Sequence, residues 1–307
     1  MKASSMASAA HPIAFTIGSR RLFAIERQLV TVSFSLEDIL LERPPAVPTL
    51  GSADGLRVLS APPAAEERLH AAMPGFVVGA RQDYARSYIA MTGSYEDYLA
   101  QFSGKTRSTL RRKRRKLEEA GGGALDVRSY RTPEELDKFL ALALPLSRKT
   151  YQSRLLDAGL PEGEAAQRAM RELADRDDMR AFLLFLAGEP IAYLYLPVSG
   201  RTLIYAYLGY DAEHAHLSPG TVLQMAALEN LFAEKRVAFF DFTEGEGAHK
   251  ALFGTGSIRC ASYIMLRPSG SNRALLRSLE LFDRSVAATR DLASRFGLDA
   301  AIRRRLR

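Results

Sequence analysis

Apolar and polar residues alternate in short bursts along the chain, and between those bursts the apolar spacing lengthens to that of a helix. A period of two marks a strand, and recurrence at three and four marks a helix. In the first hundred residues FTIGSRRLFAIERQLVTVSFSL reads as strand material, closed by the loop RPPAVPTLGSADG. GLRVLS and YARSYIAMT are further strands, and SYEDYLAQF a short helix. The next segment, GKTRSTLRRKRRKLEE, is helical: Ser103 can cap it, and Leu110 and Leu117 stand seven apart on one narrow stripe. The glycines at 121–123 end it and are the expected domain boundary.

The second half is plainer. LDVRSY is a strand, and Thr132-Pro133-Glu134-Glu135 is a capping box with proline in the first turn, opening a helix to about Leu146. Pro161 starts another. Three strands follow, MRAFLLFLA, PIAYLYLPV and TLIYAYLGY, joined by hairpin-sized gaps. A helix begins at Pro219, VAFFDF is the next strand, AHKALFG a short helix, and SIRCASYIML the last strand before a helical stretch from Ser271. From residue 125 the order is β-α-α-β-β-β-α-β-α-β, which calls for an α/β fold with a mixed sheet and helices on both faces.

Composition narrows the chemistry. At 307 residues, 47% hydrophobic and 25% charged, the chain has material for one large domain or two smaller ones. One cysteine, Cys260, forbids an internal disulfide, and its alternation with apolar neighbours marks a packing residue. No apolar run reaches the length of about 18 residues that a transmembrane helix needs. The five histidines are scattered without metal-ligand spacing, so no metal is expected. Residues 1–11 read as a disordered leader of a cytoplasmic protein. The net charge of +7 is uneven: eight basic residues crowd Lys105 to Lys116, and RRRLR closes the chain. Such charge favours anionic partners, among them nucleotides, RNA and lipid headgroups.

One stretch demands a chemical account. VAFFDFTEGEGAHK leaves a buried strand and at once gathers Asp241, Glu244, Glu246, His249 and Lys250 around two glycines. Carboxylates at the carboxyl end of a strand lie where open sheets place ligands, and they can accept protons there. Each could equally be a loop brace or a solvated charge. In HLSPGTVLQ, Ser218 can cap, Pro219 fits the first turn and Gly220 allows close approach to backbone N–H groups that suit an anion. The same triplet would also serve as a plain helix start. Tyr205 and Tyr207 alternate on one expected strand face, suiting either core packing or acceptor contact.

The element order resembles the GNAT acyltransferase fold, most closely at YDAEHAHLSPGTVLQMAALE and FDFTEGEGAHKALFG. Those stretches look like the BioF2-like and CelD-like acetyltransferases, a group related to the FemAB aminoacyltransferases with their two tandem GNAT-type domains. The matching features are Ser103 with the arginine run, Gly209-Tyr210-Asp211, Ser218-Pro219-Gly220, and Asp241-Phe242 with Gly245 and Lys250. The likeness covers roughly residues 100 to 267; the commoner GNAT loop, with a leading Arg or Gln and two spaced glycines, is absent.

The resemblance implies a GNAT domain at 124–270, a degenerate one at 12–123 and a terminal helix with basic tail at 271–307. It implies acetyl-CoA or another acyl-CoA as donor. Gly209, Tyr210, Ser218, Pro219, Gly220 and Thr221 would line the pyrophosphate turn. Asp241, Glu244, His249 and Lys250 would surround the thioester, with His249-Lys250 where the group carries Tyr-Lys. Tyr151, Tyr207, Arg111 and Arg115 would meet the acceptor, an amine or hydroxyl of polysaccharide or envelope metabolism. Two other readings stay open: aminoacyl transfer from charged tRNA, with the basic helix on RNA, and a non-catalytic module that binds through that helix.

Overall fold

The computed structural model describes residues 8–18, 20–43, 46–150, 159–245 and 247–295; Tyr151 lies outside them. The first elements are β1 (Ser8–Ile17), β2 (Arg20–Ser33), α1 (Leu36–Leu40), β3 (Gly55–Ala61), α2 (Pro63–Ala72) and β4 (Val77–Ala90). Then come α3 (Tyr95–Ala100), α4 (Gly104–Ala120), β5 (Asp126–Tyr130), α5 (Pro133–Lys149) and α6 (Glu164–Asp175). Strands β6 (Met179–Leu186), β7 (Glu189–Ser199), β8 (Thr202–Ile204) and β9 (Tyr207–Tyr210) follow, with a 3-10 helix at Ala212–Leu217. The chain continues through α7 (Pro219–Glu234), β10 (Phe239–Asp241), α8 (Ala248–Phe253), β11 (Gly256–Leu266) and α9 (Gly270–Arg295).

Contacts divide the chain into two units. The first holds residues up to Arg86, the short stretch 244–246 and residues from Ile258; the second holds Ser87–Thr243 and Gly247–Ser257. The division passes through β4, whereas the sequence pointed to the glycines at 121–123. Those glycines end α4 as expected, with Gly122 and Gly123 at positive φ and Gly123 N–H donating to the Glu118 carbonyl at 2.7 Å. They do so inside the second unit.

The first unit is a mixed sheet in the order β1-β2-β3-β11-β4. β1 and β2 form an antiparallel hairpin, β2 and β3 run parallel, and β11 is antiparallel to β3. β1 opens at Ser8, within the stretch read as leader. One face buries Val30, Val32, Leu56 and Val58 with Ile39 and Leu69 from the helices; the other buries Ile13, Phe15 and Leu29 with Leu275, Leu276 and Leu279 of α9. Neither α1 nor α2 is legible as an apolar stripe. α1 is held by Ser35, whose Oγ accepts from Asp38 N–H at 3.0 Å, and α2 by Pro63 in its first turn.

The second unit takes the order β4-β10-β8-β7-β6-β5, with β9 paired to β7. Every contact in it is antiparallel except one: β10 and β8 run parallel, Phe239 to Asp241 beside Thr202 to Ile204. α7 covers one face over Leu194, Leu196, Leu203 and Phe240, and α5 the other over Tyr193 and Tyr195. The capping box at Thr132 and Glu135 forms as expected, though α5 runs through Pro145 to Lys149. α6 begins at Glu164 rather than at Pro161, because Gly163 at φ +91° breaks the chain just before it.

The expected single strand TLIYAYLGY is two. β7 pairs Val198 with Leu203 and then Tyr195 with Tyr207, so four steps along the β8–β9 side oppose three along β7. One extra residue in a ladder is a bulge, and it turns the strand. Tyr205 therefore joins the α7-side cluster while Tyr207 joins the α5-side one. They do not share a face.

Candidate functional site

The bulge opens the sheet. Tyr205 N–H donates to the Asp241 carbonyl at 2.9 Å, and beyond that bond β9 follows β7 while β10 ends. Two parallel strands thus part at a point flanked by Tyr205 and Asp241, at the carboxyl ends of both.

Asp241 is 1% exposed. Its Oδ1 accepts the N–H of Thr243 at 2.8 Å, and Thr243 sits at φ +62°, so the carboxylate braces the sharp exit from β10. A buried carboxylate held in this way braces the loop and is fixed in position.

His249 stands on α8 with its ring against Phe253, Phe242 and Tyr205, at centroid distances of 4.8, 6.2 and 6.1 Å. Burial against those rings lowers its pKa below the ordinary 6.5, and the charges of Lys113 and Lys250 lower it further. At neutral pH the imidazole is uncharged. The ring stands where the resembled group carries a tyrosine, and in its uncharged form it keeps a nitrogen that can accept a hydrogen bond. Tyr205 is the opposite case: burial pushes its phenol well above the usual range, so it keeps its proton. The sequence leaves both core packing and acceptor contact open for Tyr205; its ring packs against Phe240 and Phe242, at centroid distances of 5.8 and 5.4 Å.

The start of α7 differs from the expected cap. Ser218 is in the left-handed conformation, φ +57°, and its hydroxyl makes no cap bond. Pro219 does occupy the first turn. Gly220 is buried, and a Cβ there would press on Leu208 and Tyr210 at 3.1 and 3.2 Å, so the glycine lets α7 sit against β9. Gly209 is tighter still, since a Cβ would fall 2.5 Å from the Tyr193 ring. Both glycines have packing reasons. Tyr210, beside Gly220, is half-exposed, and Thr221 Oγ1 lies 3.5 Å from Lys113 Nζ.

That last contact brings the basic helix to the site. α4 belongs to the second unit and packs along α7: Lys116 Nζ donates to the His216 carbonyl at 3.1 Å, and Arg114 pairs with Glu229 at 2.9 Å. Lys113 therefore stands by the first turn of α7 and also acts on His249. Arg115 does not converge; it is exposed and pairs with Glu119 one turn along its own helix. Tyr207 packs beside Tyr195, 6.3 Å between centroids.

Glu244 is held within the first unit. Its Oε1 accepts from Ser60 Oγ at 3.3 Å and Ser262 Oγ at 3.5 Å. These hydroxyls meet the Tyr84 phenol at 2.7 and 3.0 Å. Among the described residues no group of three His, Cys, Asp or Glu side chains could hold a metal, and no helix is long and apolar enough to cross a membrane.

Residues 104–251 match the model of a family described as acetyltransferase (GNAT) domain. None of the curated proteins matches the sequence. Among solved structures the chain is similar to FemX at 13% identity, over 85% of this chain and 89% of that one, with a TM-score of 0.51. It is also similar to the C-terminal domain of a putative lysylphosphatidylglycerol synthetase from Agrobacterium fabrum, at 13% identity over 75% and 73%, with a TM-score of 0.50. At that identity the structures bear on the fold alone. With the domain match they define a mixed α/β fold of the GNAT type.

Proposed function

We propose that the second unit transfers an acyl group from acyl-CoA to an amine or hydroxyl acceptor. The observation that carries this reading is the parting of β8–β9 from β10 beside the first turn of α7. A thioester can lie where the strands part, with its pyrophosphate on the helix N-terminus and Lys113. The acceptor nitrogen or oxygen attacks the thioester carbonyl and loses its proton to Asp241, directly or through water, or to neutral His249. The C–S bond breaks and the departing thiolate takes the proton that Tyr205 retains. Burial keeps the imidazole uncharged, and Lys113 and Lys250 add to the effect. A place in the BioF2-like and CelD-like group, with a polysaccharide or envelope acceptor, is part of this reading and rests on the motif resemblance.

Thermal unfolding with CoA, acetyl-CoA and longer acyl-CoAs tests it. Ligand at about 100 times its dissociation constant adds ~2.7 kcal/mol to stability. A rise with CoA species that Gly220→Glu removes supports the donor; no rise with any of them overturns it.

A second reading has its own observation. Lys105, Arg111, Arg112, Arg115 and Lys116 are all exposed along α4, a surface suited to RNA phosphates. Transfer from aminoacyl-tRNA then requires binding that weakens steeply with salt and is lost on reversing Arg111, Arg112 and Arg115.

A further inference from the structure

A cavity of about 340 Å³ lies within the second unit, between α3, α4 and α7. Its size falls in the range of small-ligand pockets, ~300–1,000 Å³. Tyr95, Leu99, Leu110 and Met225 line it with apolar surface, and Arg107, Arg111 and Arg114 line it together with the carboxylates of Glu96 and Glu229, the latter held by Arg114.

The three arginines differ in what they already hold. Arg114 is engaged by Glu118 and Glu229, each at 2.9 Å. Arg107 donates to the Ala100 carbonyl at 3.2 Å. Arg111 pairs with no carboxylate among the described residues. The cavity thus joins apolar surface to a guanidinium with its donors still to spend, and a guanidinium binds phosphate or carboxylate in a bidentate fork. The cavity also reaches Thr221 in the first turn of α7, the residue beside Lys113. Its positive side is continuous with that turn.

We propose that this cavity binds an amphipathic anion, with an aromatic or alkyl body against Tyr95, Leu110 and Met225 and a phosphate on Arg111. Two sources supply that chemistry: the adenosine 3′-phosphate end of the donor proposed above, or a separate alkyl phosphate. The site itself does not depend on acyl transfer.

Calorimetric titration of the full chain with adenosine 3′,5′-bisphosphate and with decyl phosphate tests it. At least one probe binds with one-to-one stoichiometry, and Arg111→Glu weakens it tenfold or more. Met225→Trp narrows the cavity and weakens the same probe, and its emission as the chain's sole tryptophan confirms that the variant is folded. Repeating the titrations in saturating CoA separates the sources, since loss of binding assigns the cavity to the donor's nucleotide and retention of decyl phosphate assigns it to a separate amphiphile. Binding of neither probe, or binding that neither variant changes, overturns the inference. CoA binding indifferent to both variants, with no probe bound, removes the cavity site and leaves the donor reading intact.

Discussion

Tyr205 and Asp241 are joined through their backbones, N–H to carbonyl at 2.9 Å, at the point where two parallel strands separate. One contributes a phenol that burial keeps protonated, the other a buried carboxylate. A protonated phenol and a buried carboxylate thus flank the point of separation from neighbouring strands.

Asp241→Asn preserves the bond to Thr243 N–H, because the amide oxygen can still accept, while it removes the base. Turnover falls ~10²-fold or more with the unfolding temperature little changed. Steady-state rates beside a melting curve check this; an unchanged rate assigns Asp241 to the loop alone.

His249 titrates below 6.5 in the folded chain, chiefly through burial and then through Lys113 and Lys250. As pH falls, the unfolded imidazole takes its proton first. The stability this residue contributes is therefore complete above pH 6.5 and is lost as pH drops through the folded value. Lys113→Gln removes one cation and moves the titration part of the way back toward 6.5. Histidine ring signals followed by NMR against pH measure both effects.

Gly209→Ala and Gly220→Ala separate packing from ligand contact. The first forces a methyl into the Tyr193 ring, and overpacking of that kind costs ~1–3 kcal/mol; the second meets side chains able to shift slightly and costs less. Chemical denaturation without ligand gives both numbers. If neither is destabilised, the packing account of these glycines fails.

Gln224 is fully buried on α7, and its side-chain amide has no hydrogen-bond partner among the described residues. An unpaired buried amide costs ~1–3 kcal/mol. Gln224→Leu should raise the unfolding temperature of the ligand-free protein, and a lowered one sinks the prediction.

The second unit was legible in sequence because its signals are local. The Thr132 capping box, the hairpin at Gly188 and the apolar run of α7 each declare themselves within a few residues. The sharp exit from β10 was legible too, in polar residues abruptly following a buried strand. What the sequence hid depends on register. The bulge at Tyr205 leaves no mark in composition, so Tyr205 was read as sharing a face with Tyr207. The pairing of Glu244 with Ser60 and Ser262 spans residues 184 and 18 positions apart. Lys113 looked like one charge in a run of eight; only the packing of α4 on α7 singles it out.

The bulge also decides which length changes the sheet can absorb. Deleting one residue at 205–206 would leave three steps against three between Leu203 and Tyr207, with Tyr207 still opposite Tyr195 and Gly209 still against the Tyr193 ring. The packing would survive, and the turn that parts β9 from β10 would be lost. Deleting two residues would leave two steps against three, so Leu208 would come opposite Tyr195 and every β9 side chain would change sides. Tyr210 would then meet the Tyr193 ring where the glycine now makes room for it. Lineages of this fold should therefore keep their packing after losing one residue here and reject the loss of two.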